Sequence, residues 1–240
     1  MRAVIIQPHF LPFAGYFDLM KRADIFVYYD TAQFVRRSWH CRTYITEQGI
    51  ARWLSAPVRT VEGSRRPLRE VHWADDQPWR VKMVRRLKHC YVDPKEPGLL
   101  DEVLGLVQTG PTDLVSWNIQ TNDLLAQALN IKTTQIRASE LPPPAGDKQQ
   151  KIIGLCRELG VTHYLCGPGS RSYVTNEAFA QFGIRVEWID YDYEHEVCTK
   201  AGLATYPSIL DSVLRRGVNT VRSYFAKGPH FLDPRKGMLT

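Results

Sequence analysis

The feature that most constrains this fold is a strand, turn, helix and strand within the first 30 residues. Residues 4–6 are a short apolar run, and Pro8 and Pro12 impose an extended or turning path after it. The pattern then predicts a helix over 13–22 and a second strand over 25–29. A strand, helix and strand in this order form a βαβ unit with parallel strands, whose ligands bind beyond the carboxyl ends of the strands.

A second unit of the same kind follows in the C-terminal half. A strand over 162–166 precedes the glycine-rich turn 167–171, and a helix to residue 181 leads to a strand over 184–190. We therefore expect an α/β fold, with a Rossmann-like parallel sheet flanked by helices and a mostly helical insertion over about 76–130. The remaining patterns predict strands at 52–58, 68–73 and within 130–137, helices at 76–91, 97–107, 111–129 and 147–159, and a helical tail at 210–225.

The length of 240 residues is large for one domain and small for two. The proline-rich segment 141–146 favours a stiff, extended path. We interpret it as a crossover within a single domain that spans residues 1–240.

Charge and cysteine usage limit the partners. A net charge of +6 suits a small anionic or carrier-linked substrate, whereas no nucleic-acid-binding motif accompanies it. The five cysteines are widely spaced, which argues against a disulfide framework or a zinc site. The sequence has no apolar run of the roughly 20 residues that a membrane span needs and no leader pattern, so we expect a cytoplasmic protein.

A dense series of special residues occupies the first 45 positions. They are Gln7-Pro8-His9-Phe10-Leu11-Pro12, Gly15-Tyr16-Phe17, Ala23-Asp24, Asp30, Gln33-Phe34, Trp39 and Arg42. The C-terminal half adds Tyr164, Gly167-Pro168, Tyr173, Phe179, Gly183-Ile184, Asp190-Tyr191 and Ser208-Ile209-Leu210-Asp211. Together these motifs resemble the WbqC-like family over nearly the whole chain.

The resemblance implies a transferase that forms an amide, by moving an acyl or aminoacyl group from an activated donor to an amino-sugar or other small amine. It places this reaction in the biosynthesis of surface polysaccharides such as O-antigen, or of specialised metabolites. A more distant similarity to the nucleotidylyl-transferase branch of Rossmann-like folds leaves a degenerate nucleotidyltransferase-like enzyme as an alternative, because Phe13-Ala14-Gly15-Tyr16 lacks the histidines of that branch. A non-catalytic ligand-binding subunit of a biosynthetic complex is a third reading.

Four N-terminal residues are candidates for the chemistry. His9 suits a general base that deprotonates the amine, and Asp30 suits a carboxylate that binds the ammonium, orients that base or itself handles the amine proton. Tyr16 can donate to a developing oxyanion, and Gln7 can hold an amide or carbonyl. Each has a structural alternative: a loop histidine, a turn cap, a packed ring and an amide that caps loop backbone.

Further residues are candidates for substrate binding. Arg42 can hold a phosphate or carboxylate with two parallel hydrogen bonds, and Gln33 and Trp39 belong to the same motif. In the turn 167–171, backbone N–H groups at a helix start can bind an anion, which brings in Gly167, Ser170 and Arg171. Asp190 ends the following strand. We expect Gln7, Tyr16, Asp30 and Arg42 to share one cleft at the carboxyl edge of the sheet.

No metal is expected, and an activated acyl donor or a nucleotide is the co-substrate that this chemistry would use. Glu194, His195 and Glu196 are adjacent along the chain, and adjacent residues rarely converge on one ion. Cys166 at a strand end is better interpreted as a buried cysteine than as a nucleophile.

Overall fold

A computed structural model describes residues 1–59, 66–190, 207–226 and 230–231. Its strands are β1 (Arg2–Ile6), β2 (Ile25–Tyr28), β3 (Arg42–Glu47), β4 (Ile50–Ser55), β5 (Thr134–Arg137), β6 (His163–Cys166), β7 (Arg185–Asp190) and β8 (His230–Phe231). Its helices are α1 (Ala14–Arg22), α2 (Trp79–Cys90), α3 (Pro97–Thr109), α4 (Leu114–Ala128), α5 (Lys148–Glu158), α6 (Asn176–Ala180), α7 (Ile209–Arg216) and α8 (Val218–Ala226).

The main sheet has the strand order β5-β2-β1-β6-β7-β8 within the described ranges. The first five of these strands are parallel, and β8 runs antiparallel to β7 at one edge. The two βαβ units therefore contribute to one parallel sheet, which confirms the predicted α/β, Rossmann-like arrangement. The three helices α2, α3 and α4 lie between β4 and β5 in the chain, as the predicted helical insertion requires.

Local signals determine where α5 begins and ends. Asp147 caps its first turn: its Oδ1 accepts from the backbone N–H of Gln150 at 2.8 Å, and Gln150 Oε1 accepts from the backbone N–H of Asp147 at 2.8 Å. Gly160 follows the last turn with φ +65°, a conformation that glycine adopts without strain. A Cβ atom on Gly154 would lie 2.8 Å from Pro144 Cβ, so the proline-rich segment packs directly against this helix.

The part of the chain before α2 differs from the sequence prediction. Residues 42–47 form a strand that the sequence reading did not include, and the predicted strand at 68–73 is wrong, because Leu68–Glu70 form a 3-10 helix. β3 and β4 pair with each other as a separate two-stranded sheet. The two residues between them, Gln48 and Gly49, have φ +51° and +76°, the positive values that a tight hairpin turn requires.

Aromatic packing joins the insertion to the loop that follows β1. The Phe10 ring stacks on Trp117 of α4 with centroids 5.0 Å apart, and Trp73 lies against both rings at 5.9 and 5.7 Å. All three side chains are buried. No helix in the described ranges combines the length and the hydropathy that a membrane span requires.

Candidate functional site

A cleft opens where the crossovers of the sheet change direction. β1 lies between β2, which follows it in the chain, and β6, which comes much later. β1 pairs with β2 as far as its end, but the register of β1 with β6 extends only over Arg2↔His163 and Ala3↔Tyr164. Beyond that point β1 and β6 have no paired residues, and the carboxyl ends of both strands line the cleft. Such a switch point is where open α/β sheets bind ligands.

The cleft has an apolar floor and a polar rim. The floor residues come from both strands and from helices α1 and α5: Val4, Ile5, Ile6, Leu19, Ile152, Tyr164, Leu165 and Cys166. The rim carries an amide, an ammonium, phenols and a hydroxyl: Gln7, Tyr29, Lys148, Gly167, Ser170 and Tyr173. This combination suits a ligand with an anionic or carbonyl group and a short apolar part.

Three side chains on the rim touch one another. The Lys148 ammonium lies 3.3 Å from the centroid of the Tyr173 ring, close enough for a cation–π interaction. The Tyr173 hydroxyl lies 3.0 Å from Ser170 Oγ. Lys148 begins α5, and a helix that runs back along a parallel sheet begins at its carboxyl edge, so the topology brings this cation to the cleft.

We name residues 7–9 the β1 rim, and other elements hold each of its backbone carbonyls. The Tyr16 hydroxyl donates to Gln7 O at 3.2 Å, and Asn122 Nδ2 donates to His9 O at 3.3 Å. Asn118 Nδ2 donates to Pro8 O at 3.0 Å and also to His40 O at 2.9 Å. Asn118 and Asn122 are fully buried on α4. The insertion therefore determines the path of the chain that carries Gln7 into the cleft.

His9 is a neutral imidazole in this environment. Burial, with a smaller contribution from neighbouring His40, lowers its pKa to about 3. The His9 ring lies 5.2 Å from the Tyr16 ring and 5.9 Å from the His40 ring, between centroids. A base with so low a pKa accepts few protons at neutral pH, so the sequence argument for His9, an imidazole that titrates near neutrality, does not apply here.

Asp30 and Tyr16 occupy structural positions. Asp30 is buried, and its two carboxylate oxygens accept from the Ser139 backbone N–H at 2.9 Å and from Ser139 Oγ at 2.6 Å. The Tyr16 ring packs on Phe17 and Phe26, and burial raises the pKa of its hydroxyl well above the usual value. Neither residue lines the cleft, so the expected single site of Gln7, Tyr16, Asp30 and Arg42 is not formed.

The other N-terminal candidates lie on a different part of the structure. Gln33 is exposed and forms an isolated antiparallel β-bridge with Pro67. Arg42 is on the β3–β4 hairpin, with its guanidinium carbon 4.0 Å from the centroid of the Trp53 ring. The Trp39 ring lies 5.6 Å from that of Trp53 and is 37% exposed. Trp39, Arg42 and Trp53 form their own cluster, and neither this cluster nor Gln33 contributes to the cleft lining.

We name residues 167–173 the β6 rim, which brings several C-terminal candidates to the cleft. Gly167 and Ser170 line it, and Arg171 is exposed beside it with its guanidinium carbon 5.8 Å from the Trp188 ring centroid. Asp190 ends β7, and its side chain is outside the described part of the structure. Glu194, His195 and Glu196 also lie outside the described residues.

The described residues support neither a nucleophilic role for Cys166 nor a metal site. Burial raises the pKa of the Cys166 thiol, which keeps it protonated and unreactive, in agreement with a buried strand cysteine. In the ranges that the structure describes, no group of three His, Cys, Asp or Glu side chains could hold a metal ion.

The sequence reading did not single out Lys148, Tyr29, Asn118 and Asn122. A signal for Lys148 was present, because it directly follows the helix cap Asp147 and so begins a helix at the ligand-binding edge of the sheet. The asparagines gave no comparable signal, since their partners are about a hundred positions away in the chain.

Comparison with known proteins assigns a family. The model of the WbqC-like protein family matches residues 7–223. The chain is also similar to the uncharacterized protein Rv1507c of Mycobacterium tuberculosis (strain ATCC 25618 / H37Rv), with 29% identity over 220 residues that cover 90% of this chain and 94% of that protein. No solved structure matches.

Proposed function

This chain belongs to the WbqC-like protein family, and we propose that it forms an amide by moving an acyl or aminoacyl group from an activated donor to a small amine. The observation that carries the proposal is the meeting of an ammonium, an amide and three hydroxyls over an apolar floor at the β1–β6 switch point. Biosynthesis of a surface polysaccharide or a specialised metabolite is the setting that the family resemblance suggests.

The polar rim supplies the interactions that acyl transfer needs. The amine nitrogen attacks the acyl carbon, the bond from that carbon to the leaving atom of the donor breaks, and the leaving group takes the proton that the nitrogen loses. Negative charge collects on the acyl oxygen during the attack, and Ser170 and Tyr173 can donate hydrogen bonds to it. Lys148 is placed to pair with an anionic part of the donor.

The remaining lining residues position the substrate and exclude water. Gln7 can accept from the amine or donate to the carbonyl through the two ends of its amide. The floor residues Leu19, Ile152 and Tyr164 provide an apolar surface against a short acyl chain. Because an activated donor carries a leaving group that accepts the proton, the reaction does not depend on His9 or Asp30 as a base.

A second candidate function, a ligand-binding subunit without catalysis, is favoured by a specific observation. The two groups that the sequence offered as bases are not available: His9 has a pKa of about 3, and both oxygens of the Asp30 carboxylate accept hydrogen bonds from Ser139. A degenerate nucleotidyltransferase-like enzyme has no comparable support from the described residues.

Paired lysine variants test the site. A thermal-shift panel of acyl thioesters, nucleotide sugars and nucleotides is run on the wild type, on Lys148→Ala and on Lys151→Ala. Lys151 lies on the same helix but not in the cleft lining, so its variant removes the same charge elsewhere. A ligand at 100 times its Kd raises the free energy of unfolding by about 2.7 kcal/mol.

We expect Lys148→Ala to weaken the binding of an anionic donor by about tenfold and Lys151→Ala to leave it unchanged. Equal binding by the wild type and both variants would contradict the assignment of the cleft. Donors that bind are then incubated with amines, and the amide is sought by mass spectrometry. Tight binding without any amide product would favour the ligand-binding subunit over the transferase.

A further inference from the structure

The β3–β4 hairpin has one buried face and one aromatic, cationic face. Thr43, Ile45 and Leu54 are buried on the inner side. The alternating positions Arg42 and Tyr44, with Trp53 paired directly opposite Tyr44, point to the other side and are only half-buried. Two-stranded sheets do not require such residues on their outer face, so the composition of this face needs a reason of its own.

The outer face is an ordered stack. The Tyr44 and Trp53 rings are nearly parallel, at 28°, with centroids 3.7 Å apart. The Arg42 guanidinium carbon lies 4.0 Å from the Trp53 centroid, and the Trp39 ring stands beside the stack, 6.0 Å from Tyr44 and 5.6 Å from Trp53. Indole and phenol rings beside a guanidinium offer both a flat apolar surface and a fixed positive charge.

One donor atom of Arg42, its buried Nε, has no hydrogen-bond acceptor among the residues that the structure describes. The nearby Arg86 shows the contrast, because it is paired with Glu47 of the same hairpin at 2.5 Å and with the Trp53 carbonyl at 2.7 Å. A buried charged donor without an acceptor is costly, and an anionic ligand would remove that cost.

We infer that the outer face of the β3–β4 hairpin is a second binding site, which takes a ligand with a ring that can pack its face on aromatic side chains and that carries a phosphate or carboxylate. Arg42 binds the anionic group, and Trp39 and Tyr44 pack against the ring, while Trp53 lies between Tyr44 and the Arg42 guanidinium. This site shares no residue with the cleft between β1 and β6, and it does not depend on the proposed transfer reaction. A nucleotide and a sugar phosphate are the two sources of this chemistry that the test separates.

The indole N–H signals of the wild-type protein report on the site directly. Uridine monophosphate, glucose 1-phosphate, inorganic phosphate and uncharged uridine are titrated in turn, and the shifts of the Trp39 and Trp53 signals are followed by NMR. Trp39→Phe and Trp53→Phe assign the two signals among those of the six tryptophans. We expect either uridine monophosphate or glucose 1-phosphate to bind at least about tenfold more tightly than uridine or inorganic phosphate. The tighter of these two probes identifies the kind of ring that the site takes.

Three variants at two arginines test which positive charge binds the ligand. Arg42→Ala should weaken the preferred ligand by at least about tenfold, whereas Arg52→Ala should not, since Arg52 is exposed at an alternate position of the same hairpin. Arg42→Lys, which keeps the charge and loses the planar fork, should bind with intermediate affinity and serves where Arg42→Ala does not fold. The inference is overturned if no probe shifts Trp39 or Trp53, or if both Arg42 variants bind as the wild type does.

Discussion

The two rims of the cleft are built in different ways, although both follow parallel strands at the same edge of the sheet. The β1 rim is held by Tyr16, Asn118 and Asn122, each of which donates to a backbone carbonyl from another element. The hydrogen bond within the β6 rim is local, between Ser170 and Tyr173 three positions apart, and Lys148 of α5 packs on the Tyr173 ring. The first rim therefore depends on hydrogen bonds from distant segments, and the second mainly on its own turn. We expect the β1 rim to be rigid and the β6 rim to adjust to a ligand.

A fall in pH should have the largest effect on stability, because the β1 rim contains His9 and lies beside His40. Burial lowers the pKa of His9 to about 3 and of His40 to about 4, both below the 6.5 of an unperturbed imidazole. As the pH falls below about 6.5, the unfolded chain binds these two protons and the folded protein does not. Stability should therefore be greatest above about pH 7 and fall toward pH 5, by up to about 4 kcal/mol for the pair.

Urea unfolding at several pH values measures this loss. His40→Gln should remove about half of the pH dependence, whereas His72→Gln, at an exposed position, should leave it unchanged. Equal unfolding free energies for the wild type at pH 7 and pH 5 would show that burial does not keep His9 and His40 neutral in the folded protein.

The next largest effect should come from Asn118. Asn118→Asp keeps the shape of the side chain but removes both donors, which leaves the buried carbonyls of Pro8 and His40 facing a carboxylate oxygen. We expect a loss of about 3 kcal/mol in the free energy of unfolding. Gln120→Glu makes the same chemical change at an exposed position of α4 and should cost less than about 0.5 kcal/mol. Similar losses in both variants would mean that α4 does not hold this rim.

The smallest effect on stability should come from the β6 rim. Ser170→Ala removes one half-buried contact with the Tyr173 hydroxyl and should change the free energy of unfolding by no more than about 0.5 kcal/mol. The affinity for the ligand found in the panel should nevertheless fall several-fold, whereas Ser172→Ala at the exposed neighbouring position should alter neither quantity. A loss of stability above about 1 kcal/mol for Ser170→Ala would show that both rims are rigid.

Much of the fold could be predicted because its signals are local. Short apolar runs, the Asp147 cap and Gly160 mark strands and helix ends within a few residues. The sequence predicted neither β3 nor the hairpin turn. The turn is Gln48-Gly49 rather than the more common Asn-Gly, and β3 contains charged and hydroxyl side chains. The apolar residues of the predicted strand at 68–73 are Leu68, Val71 and Trp73, and the spacing of the first two fits a 3-10 turn equally well.

The candidate site could be predicted only in part. Gln7, Gly167 and Ser170 line the cleft because strand ends at a switch point can be located from the order of the elements. Asp30 also follows a strand, but Ser139, more than a hundred positions later, binds its carboxylate and so turns a candidate base into a structural acceptor. No local pattern could have distinguished these two outcomes.

By itself, the sequence determined the parallel α/β fold and the family, because periodicity, helix caps and motif residues depend on neighbours along the chain. The tertiary structure alone decided which polar groups meet. It brought the carboxyl ends of β1 and β6 together as the lining of the cleft, brought Lys148 over Tyr173, and joined Asn118 to Pro8 across 110 positions. The reason is that burial and long-range hydrogen bonds determine whether a side chain binds backbone or faces a ligand, and both arise only when distant segments pack together.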